Sequence, residues 1–312
     1  MRVLPVLLVV AGCAAPPGPV ERISIPRGAG LRVIADTLEA RGLVRSGRWF
    51  RTYVALRGLD RSMKAGIYDL PTGLSVSALA RRLATGQPAT QAFTVYEGWM
   101  LREIATSAEH TLGIGPDGLA EAVRDSGLRR QLATGHETLE GYLYPTTYQV
   151  RIGATAPELV TQMVDEFKRH WDSRWNQRAR ELGMTRDQIV VLASIIEGEV
   201  RHDRDRPYVS SVYHNRLREG WRLQADPTVI YALGTRRRLF ERDYATRSDY
   251  NTYLIDGLPP GPIGQPSAPS IEAALYPART AFMFFVARGD GWHVFSRTLS
   301  EHQAAIRGIR GR

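Results

Sequence analysis

The residue order predicts an α+β fold with a small mixed N-terminal unit and a mainly helical second half that closes in short strands. Three observations carry that expectation. Between residues 22 and 83 short alternating segments are interleaved with segments of 3.6 periodicity. From residue 156 to about residue 200 the apolar spacing is helical almost without interruption. Aromatic and β-branched runs of strand length return only near 282–287 and 293–296.

Taken in order, the chain opens with Met1-Arg2, an apolar run Val3 to Val10 broken by Pro5, and then Val10-Ala11-Gly12-Cys13. The run is too short for a membrane span, which needs about 20 apolar residues, but it suits the core of a signal peptide. Val-Ala-Gly-Cys resembles a bacterial lipobox, so residues 1–20 read as an export signal and tether, with Cys13 as a lipid anchor. The competing reading is a cleaved signal beside an incidental cysteine. Cys13 is the only cysteine, which excludes an intrachain disulfide and any cysteine-based metal site. Ala14 to Pro19 follows as a tether with little helix or strand preference.

Residues 21–90 read as one unit. Ile23 and Ile25 alternate as a strand, Arg27-Gly28-Ala29-Gly30 turns, and Leu31, Ile34, Ala35 and Leu38 keep the helical period. A helix over Gly47–Leu56, a strand at 66–70 and a helix opened by Ser75 complete it. The phrase Ile25-Pro26-Arg27-Gly28 leading into Val33 to Leu38 resembles a LysM module, a class that recognises N-acetylated glycans; a purely structural α+β spacer is the alternative. Residues 91–155 repeat strand, Gly turn and helix from Phe93 to Ala105, as a linking subdomain that ends in Tyr142, Tyr144 and Tyr148 around Pro145. Tyrosines in so compact a turn are expected in the core rather than on a sugar.

Residues 156–312 form the expected catalytic region. A helix from Pro157 to Asp172 carries Leu159, Val160, Met163, Val164 and Phe167, with Trp171 and Trp175 extending its apolar stripe. A second helix spans about 185–200: Thr185 and Gln188 have capping-box spacing, and Ile189 to Ile196 are apolar nearly all round, so this helix must be buried on several sides.

Glu197 is the first acid after that apolar run. Desolvation at such a place disfavours the charged carboxylate, and a carboxyl that keeps its proton near neutral pH is what a general acid requires. Glu199 lies two residues on, about 200° around the helix, so the two cannot form a facing pair. Glu-x-Glu at a helix end is by itself most often a solvated pair. Downstream, Asn215, Gln224, Thr228 and Asn251 bring mixed donors and acceptors among turn-forming Pro and Gly, which suits a hydroxyl- and amide-rich ligand.

Ala193-Ser194-Ile195-Ile196-Glu197-Gly198-Glu199, Asn215-Arg216-Leu217, Leu223 to Thr228, Tyr250-Asn251-Thr252-Tyr253, Gly257 to Gly261 and Val286-Ala287…His293-Val294-Phe295…His302 resemble, in order and spacing, the MltG or YceG-like endolytic murein transglycosylases. Glu140 to Pro145 belongs to the same resemblance. It implies a lytic cut between N-acetylmuramic acid and N-acetylglucosamine within nascent glycan strands, leaving 1,6-anhydro ends. Glu197 would be the single acid and base, so a second carboxylate about 5 Å away is not needed. Glu199, Asn215, Gln224, Asp226 and Asn251 match motif positions, as substrate-orienting or supporting groups. Val200 and Ala225 stand where the family commonly has threonines, and the family's usual single transmembrane helix is missing.

Other chemistries find little support. No G-x-S-x-G, P-loop or H-E-x-x-H occurs. His202-Asp203-Arg204-Asp205 reads as a charged loop rather than a metal site, because its arginines oppose a cation. His293 and His302 are expected to make structural hydrogen bonds, and no cofactor or metal is expected. The 41 Lys and Arg against 32 Asp and Glu give a net charge of +9, which favours anionic surroundings, but no aromatic-interleaved basic stretch points to nucleic acid. The expected partners are peptidoglycan strands, a membrane reached through the N-terminus, and peptidoglycan synthases, with the chain facing the extracytoplasmic space. A non-catalytic glycan-binding scaffold and a hydrolytic glycosidase remain as alternatives. Mass spectrometry of the mature protein tests the anchor: the lipobox predicts a chain that begins at Cys13 and carries added acyl mass, and an unmodified N-terminus at any other residue removes it.

Overall fold

The computed structural model describes residues 18–311; the expected signal and Cys13 lie outside the described residues. The chain divides into two compact units, residues up to 91 with 149–153, and residues 92–148 with 154–311. Residues 92–148 therefore share a unit with the helices that follow residue 156.

In the first unit, strand β1 (Val20–Ile25) is followed by helices α1 (Leu31–Ala40) and α2 (Gly47–Leu56), strand β2 (Gly66–Pro71) and helix α3 (Val76–Thr85). β1 and β2 pair antiparallel with Ile23 opposite Tyr68. Ile23 and Ile25 on the strand, Ile34 and Leu38 on α1, Phe50 and Val54 on α2, and Leu79 and Leu83 on α3 close around Tyr68 and Leu70. The period-2 and period-3.6 patterns thus meet in one core. Serines stop the helices from fraying at their starts: Ser46 accepts from Trp49 N and Ser75 from Ala78 N.

Strand β3 (Thr90–Thr94) leads to helices α4 (Leu101–Leu112), α5 (Pro116–Ala122) and α6 (Ser126–Gln131), and strand β4 (Thr147–Arg151) pairs with β3. Then come α7 (Ala156–His170), α8 (Ser173–Glu181), α9 (Arg186–Glu199), α10 (Arg206–Arg218), α11 (Asp226–Leu233) and α12 (Ala268–Leu275). Strands β5 (Phe284–Ala287) and β6 (His293–Ser296) pair antiparallel, and α13 (Leu299–Arg310) follows. The expected finish in strands is therefore extended by a helix. Thr298 and Glu301 form its capping box, a signal present in the residue order.

The apolar stripe expected to run from α7 through Trp175 is broken. Asp172 caps a new helix by accepting from Arg174 N at 2.8 Å, and Trp171 and Trp175 meet edge to face at 5.4 Å across the break. The tyrosine turn is largely internal: Tyr142 and Tyr148 are buried, and the half-buried Tyr144 stacks on His170. No helix among the described residues is long and apolar enough to cross a membrane.

α9 is the central helix of the second unit. Its start has the expected capping box, Thr185 N donating to Gln188 Oε1 at 2.9 Å and Gln188 N to Thr185 Oγ1 at 3.2 Å. Every residue from Ile189 to Ile196 is buried, and α8, α10, α11 and α12 pack around it. Its last turn is fixed by a close approach: a Cβ on Gly198 would stand 2.6 Å from Pro227 Cβ on α11. Helix propensity alone favours Gly198→Ala by about 1 kcal/mol, but a proline ring cannot swing aside, and overpacking costs roughly 1–3 kcal/mol. Gly198→Ala is therefore expected to lower stability by about 1 kcal/mol or more in urea melts; an unchanged or raised midpoint would show that α11 yields.

Candidate active site

Glu197 ends the buried run of α9, and its side chain is only 6% exposed. A carboxylate in the last turn of a helix faces the negative end of the helix dipole, so it needs compensation. Arg206, at the start of α10 and itself 7% exposed, places Nη1 3.2 Å from Glu197 Oε1. The same guanidinium binds Asp203 Oδ1 through Nε at 2.9 Å and reaches the Ser270 hydroxyl. The other carboxylate oxygen, Oε2, accepts from Ser267 N at 2.9 Å and from the Ser267 hydroxyl. Both oxygens are thus oriented by groups from α10 and from the residue that precedes α12. Neither Arg206 nor Ser267 stood out in the residue order; the run Gly257 to Gly261, a few residues before Ser267, was its nearest signal.

A second carboxylate lies beside the first. Glu97 belongs to the Tyr96–Trp99 turn, and a Cβ on its neighbour Gly98 would stand 3.6 Å from Glu197 Cγ. Partial desolvation and the Glu197 charge push the Glu97 carboxyl above its ordinary range, with Arg206 opposing them.

Gln265 holds this turn to the segment that carries Ser267. It is fully buried, its backbone N donates to Trp99 O at 2.8 Å, and its backbone O accepts from Gly98 N at 2.7 Å. Its side chain accepts from Leu143 N at 2.9 Å and donates to Glu140 Oε1 at 2.5 Å. Glu140, 4% exposed, also accepts from Leu101 N at the start of α4. Burial drives the Glu140 carboxyl up to about 8, against the opposing hydrogen bond from Leu101.

The other expected site residues occupy a different set of contacts. Glu199 accepts from Tyr213 Oη at 2.8 Å, and burial pushes its carboxyl to about 7, with the Asp226 charge adding to the rise. Asp226 opens α11 and accepts from Tyr253 Oη at 2.7 Å. Asn251 is fully buried, with Nδ2 donating to Tyr244 O and Thr246 O and Oδ1 accepting from Tyr253 N. Asn215 Nδ2 donates to Thr280 O and Phe282 O. The asparagine amide donors are thus spent on backbone carbonyls. Gln224 is exposed and sits at φ +49°, an uncommon conformation for a residue with a Cβ.

In the charged loop, Asp205 pairs with His293, Oδ2 lying 2.9 Å from Nδ1 with both side chains under 9% exposed. His302 stacks on Phe284, and its buried Nδ1 has no hydrogen-bond partner among the described residues, so it does not make the hydrogen bond expected of it.

Glu140 and Glu199 give the second unit a pH signature. Each binds a proton when folded that the unfolded chain releases near its ordinary value of 4.5. The stability this contributes is complete below that value and is lost as pH rises, through about 7 for Glu199 and about 8 for Glu140. Thermal melts should therefore fall in midpoint over this window, with a slope of up to ~1.4 kcal/mol per pH unit for each group. Glu140→Gln and Glu199→Gln should each flatten the slope; parallel curves for wild type and both variants would refute this account.

Comparison with known proteins follows the same lines. A profile described as the YceG-like family matches residues 23–308. The endolytic murein transglycosylase of Bacillus subtilis (strain 168) is 31% identical over 300 residues, covering 91% of this chain and 83% of that protein. The protein of the same name from Streptococcus pneumoniae (strain D39) is 29% identical, with 85% of this chain and 54% of that protein covered, so the chain spans about half of it. The crystal structure of a yceG-like protein from Listeria monocytogenes superposes with a TM-score of 0.63 at 28% identity, over 91% of this chain and 98% of that one.

Proposed function

The chain belongs to the YceG-like family, and from that premise we propose that it cleaves peptidoglycan glycan strands as an endolytic transglycosylase with Glu197 as its acid and base. The observation that carries the residue assignment is the held carboxylate itself: Glu197, with Arg206 on one oxygen and Ser267 on the other. The relatives named endolytic murein transglycosylase support the activity.

The chemistry needs one carboxyl used twice. Protonated Glu197 gives its proton to the glycosidic oxygen as the bond from that oxygen to C1 of N-acetylmuramic acid breaks. The resulting carboxylate then takes the proton of the same sugar's C6 hydroxyl, whose oxygen closes on C1 to form the 1,6-anhydro ring. The carboxyl is regenerated in its starting form and no water is consumed. Arg206 and Ser267 keep the carboxyl aimed through both transfers, which is where much of the advantage of a preorganised site lies. Glu199, Asn215, Asp226 and Asn251 act as positioning groups: Glu199 and Asp226 join the ends of α9 and α11 to Tyr213 and Tyr253, and the asparagines hold the loops around them. Gln224, exposed and unencumbered, is left to meet substrate.

The first unit we read as LysM-like, on its strand–helix–helix–strand order and antiparallel strand pair. It would hold N-acetylated glycan, while an acylated Cys13 tethers the chain to a membrane on its extracytoplasmic side, near the synthases that make the strands. Glu97 favours a second reading, because two neighbouring carboxylates suit a hydrolase.

Product analysis separates the readings. Purified peptidoglycan incubated with wild type should yield anhydro-muropeptides, and Glu197→Gln should lower the rate by about 10³-fold or more. Reducing ends in place of anhydro ends would turn the assignment to hydrolysis, and no product from wild type would leave a binding scaffold.

A further inference from the structure

The Tyr96–Trp99 turn carries more than the contact with Glu197. Trp99 N donates to Tyr96 O at 3.2 Å, and Gly98 at φ +70° supplies the reversal. The turn is clamped from behind by Gln265 and by Arg236, whose guanidinium binds Gly98 O and lies 2.7 Å from Glu103 Oε1. Beside the exposed Glu97 carboxylate, it presents two aromatic rings to solvent. Tyr96 is 59% exposed and Trp99 half-buried, with ring centroids 5.0 Å apart and planes at 57°. A cavity of about 380 Å³ opens beside Trp99, lined by Arg102, Glu103, Thr106 and Ser107.

A pyranose has an apolar C–H face and a rim of hydroxyl and acetamido groups. Flat aromatic faces match the first, and hydroxyls, a carboxylate and a guanidinium match the second. The unit's core does not need these rings, since Phe93, Val95 and Met100 on either side of the turn are already buried. We infer that Tyr96 and Trp99 form a sugar-stacking subsite that seats one N-acetylated pyranose of the glycan strand beside Glu197, with Glu103, Thr106 and Ser107 taking its polar rim. The inference rests on the transglycosylase reading for its ligand. Such a subsite binds ground state and transition state alike, so its loss raises KM and spares kcat.

The test uses initial rates on glycan strands together with direct binding. Trp99→Ala and Tyr96→Ala should each raise KM by about tenfold with kcat within about twofold, while Trp99→Phe and Tyr96→Phe keep most of the affinity. Trp221→Ala, which removes another exposed aromatic, should change neither constant. Calorimetric titration of the N-acetylglucosamine tetrasaccharide into the Glu197→Gln chain reads the subsite without turnover, and adding Trp99→Ala should weaken this binding by about tenfold while leaving any glycan held by the first unit in place. Unchanged KM in both alanine variants, or no tetrasaccharide binding that depends on Trp99, overturns the subsite even if strands are cut. A chain that binds the tetrasaccharide through Trp99 and cuts nothing upholds the subsite and overturns the transglycosylase reading instead.

Discussion

Gln265 is a neutral side chain with no exposed surface, and the geometry around Glu197 hangs on it. All of its polar groups are used: backbone N and O on the Trp99 and Gly98 peptides, side-chain oxygen on Leu143 N, side-chain nitrogen on Glu140. A buried donor or acceptor left without its partner costs about 1–3 kcal/mol, so the segments that Gln265 joins cannot drift separately. Two residues further on, Ser267 holds Glu197. The Tyr96–Trp99 turn, the start of α4 through Glu140, and the anchor of Glu197 are in this way one hydrogen-bonded assembly.

That assembly offsets the tension in the position of Glu197. The helix that delivers it is apolar on all sides and ends with its negative pole toward the carboxylate. Arg206 answers with a buried guanidinium, and the Ser267 peptide and hydroxyl supply donors to the other oxygen. Removing one partner of a buried ion pair leaves an uncompensated charge and costs more than the pair itself contributes. The Glu197–Arg206 pair is therefore better understood as a device for aim than for stability. Two residues on, Glu199 is handled differently, with one tyrosine hydroxyl and no cation in hydrogen-bond contact among the described residues. The half-turn of helix between the two glutamates separates their surroundings.

Much of the fold could be read from spacing. The apolar run of α9, its capping box, the β1–α1 pattern and the strands at 284–287 and 293–296 are local signals, and local signals survive into the structure. The expected end of the helix at Asp172 lies two residues past the end of α7, but α8 as a separate helix was missed because Trp171 and Trp175 continue the helical period while Asp172, a capping residue, sits between them. Helix α13 was missed although Thr298 and Glu301 marked its start. Among the site residues, a polar residue in a motif looked the same whether its amide faced a cleft or a carbonyl. Asn251 and Asn215 turn out to spend their amide donors on the protein's own backbone.

The residue order by itself determined the secondary-structure classes, the burial of the helix that carries Glu197, and a resemblance strong enough to name a chemistry. Those depend on periodicity, caps and motif order, all of which lie within short stretches of chain. Only the tertiary structure decided what surrounds the carboxylate: Arg206 nine residues away, Ser267 seventy residues on, and Glu97 a hundred residues back. No local pattern encodes such partners, because hydrogen bonds and charge pairs act over a few ångströms of space whatever the separation along the chain.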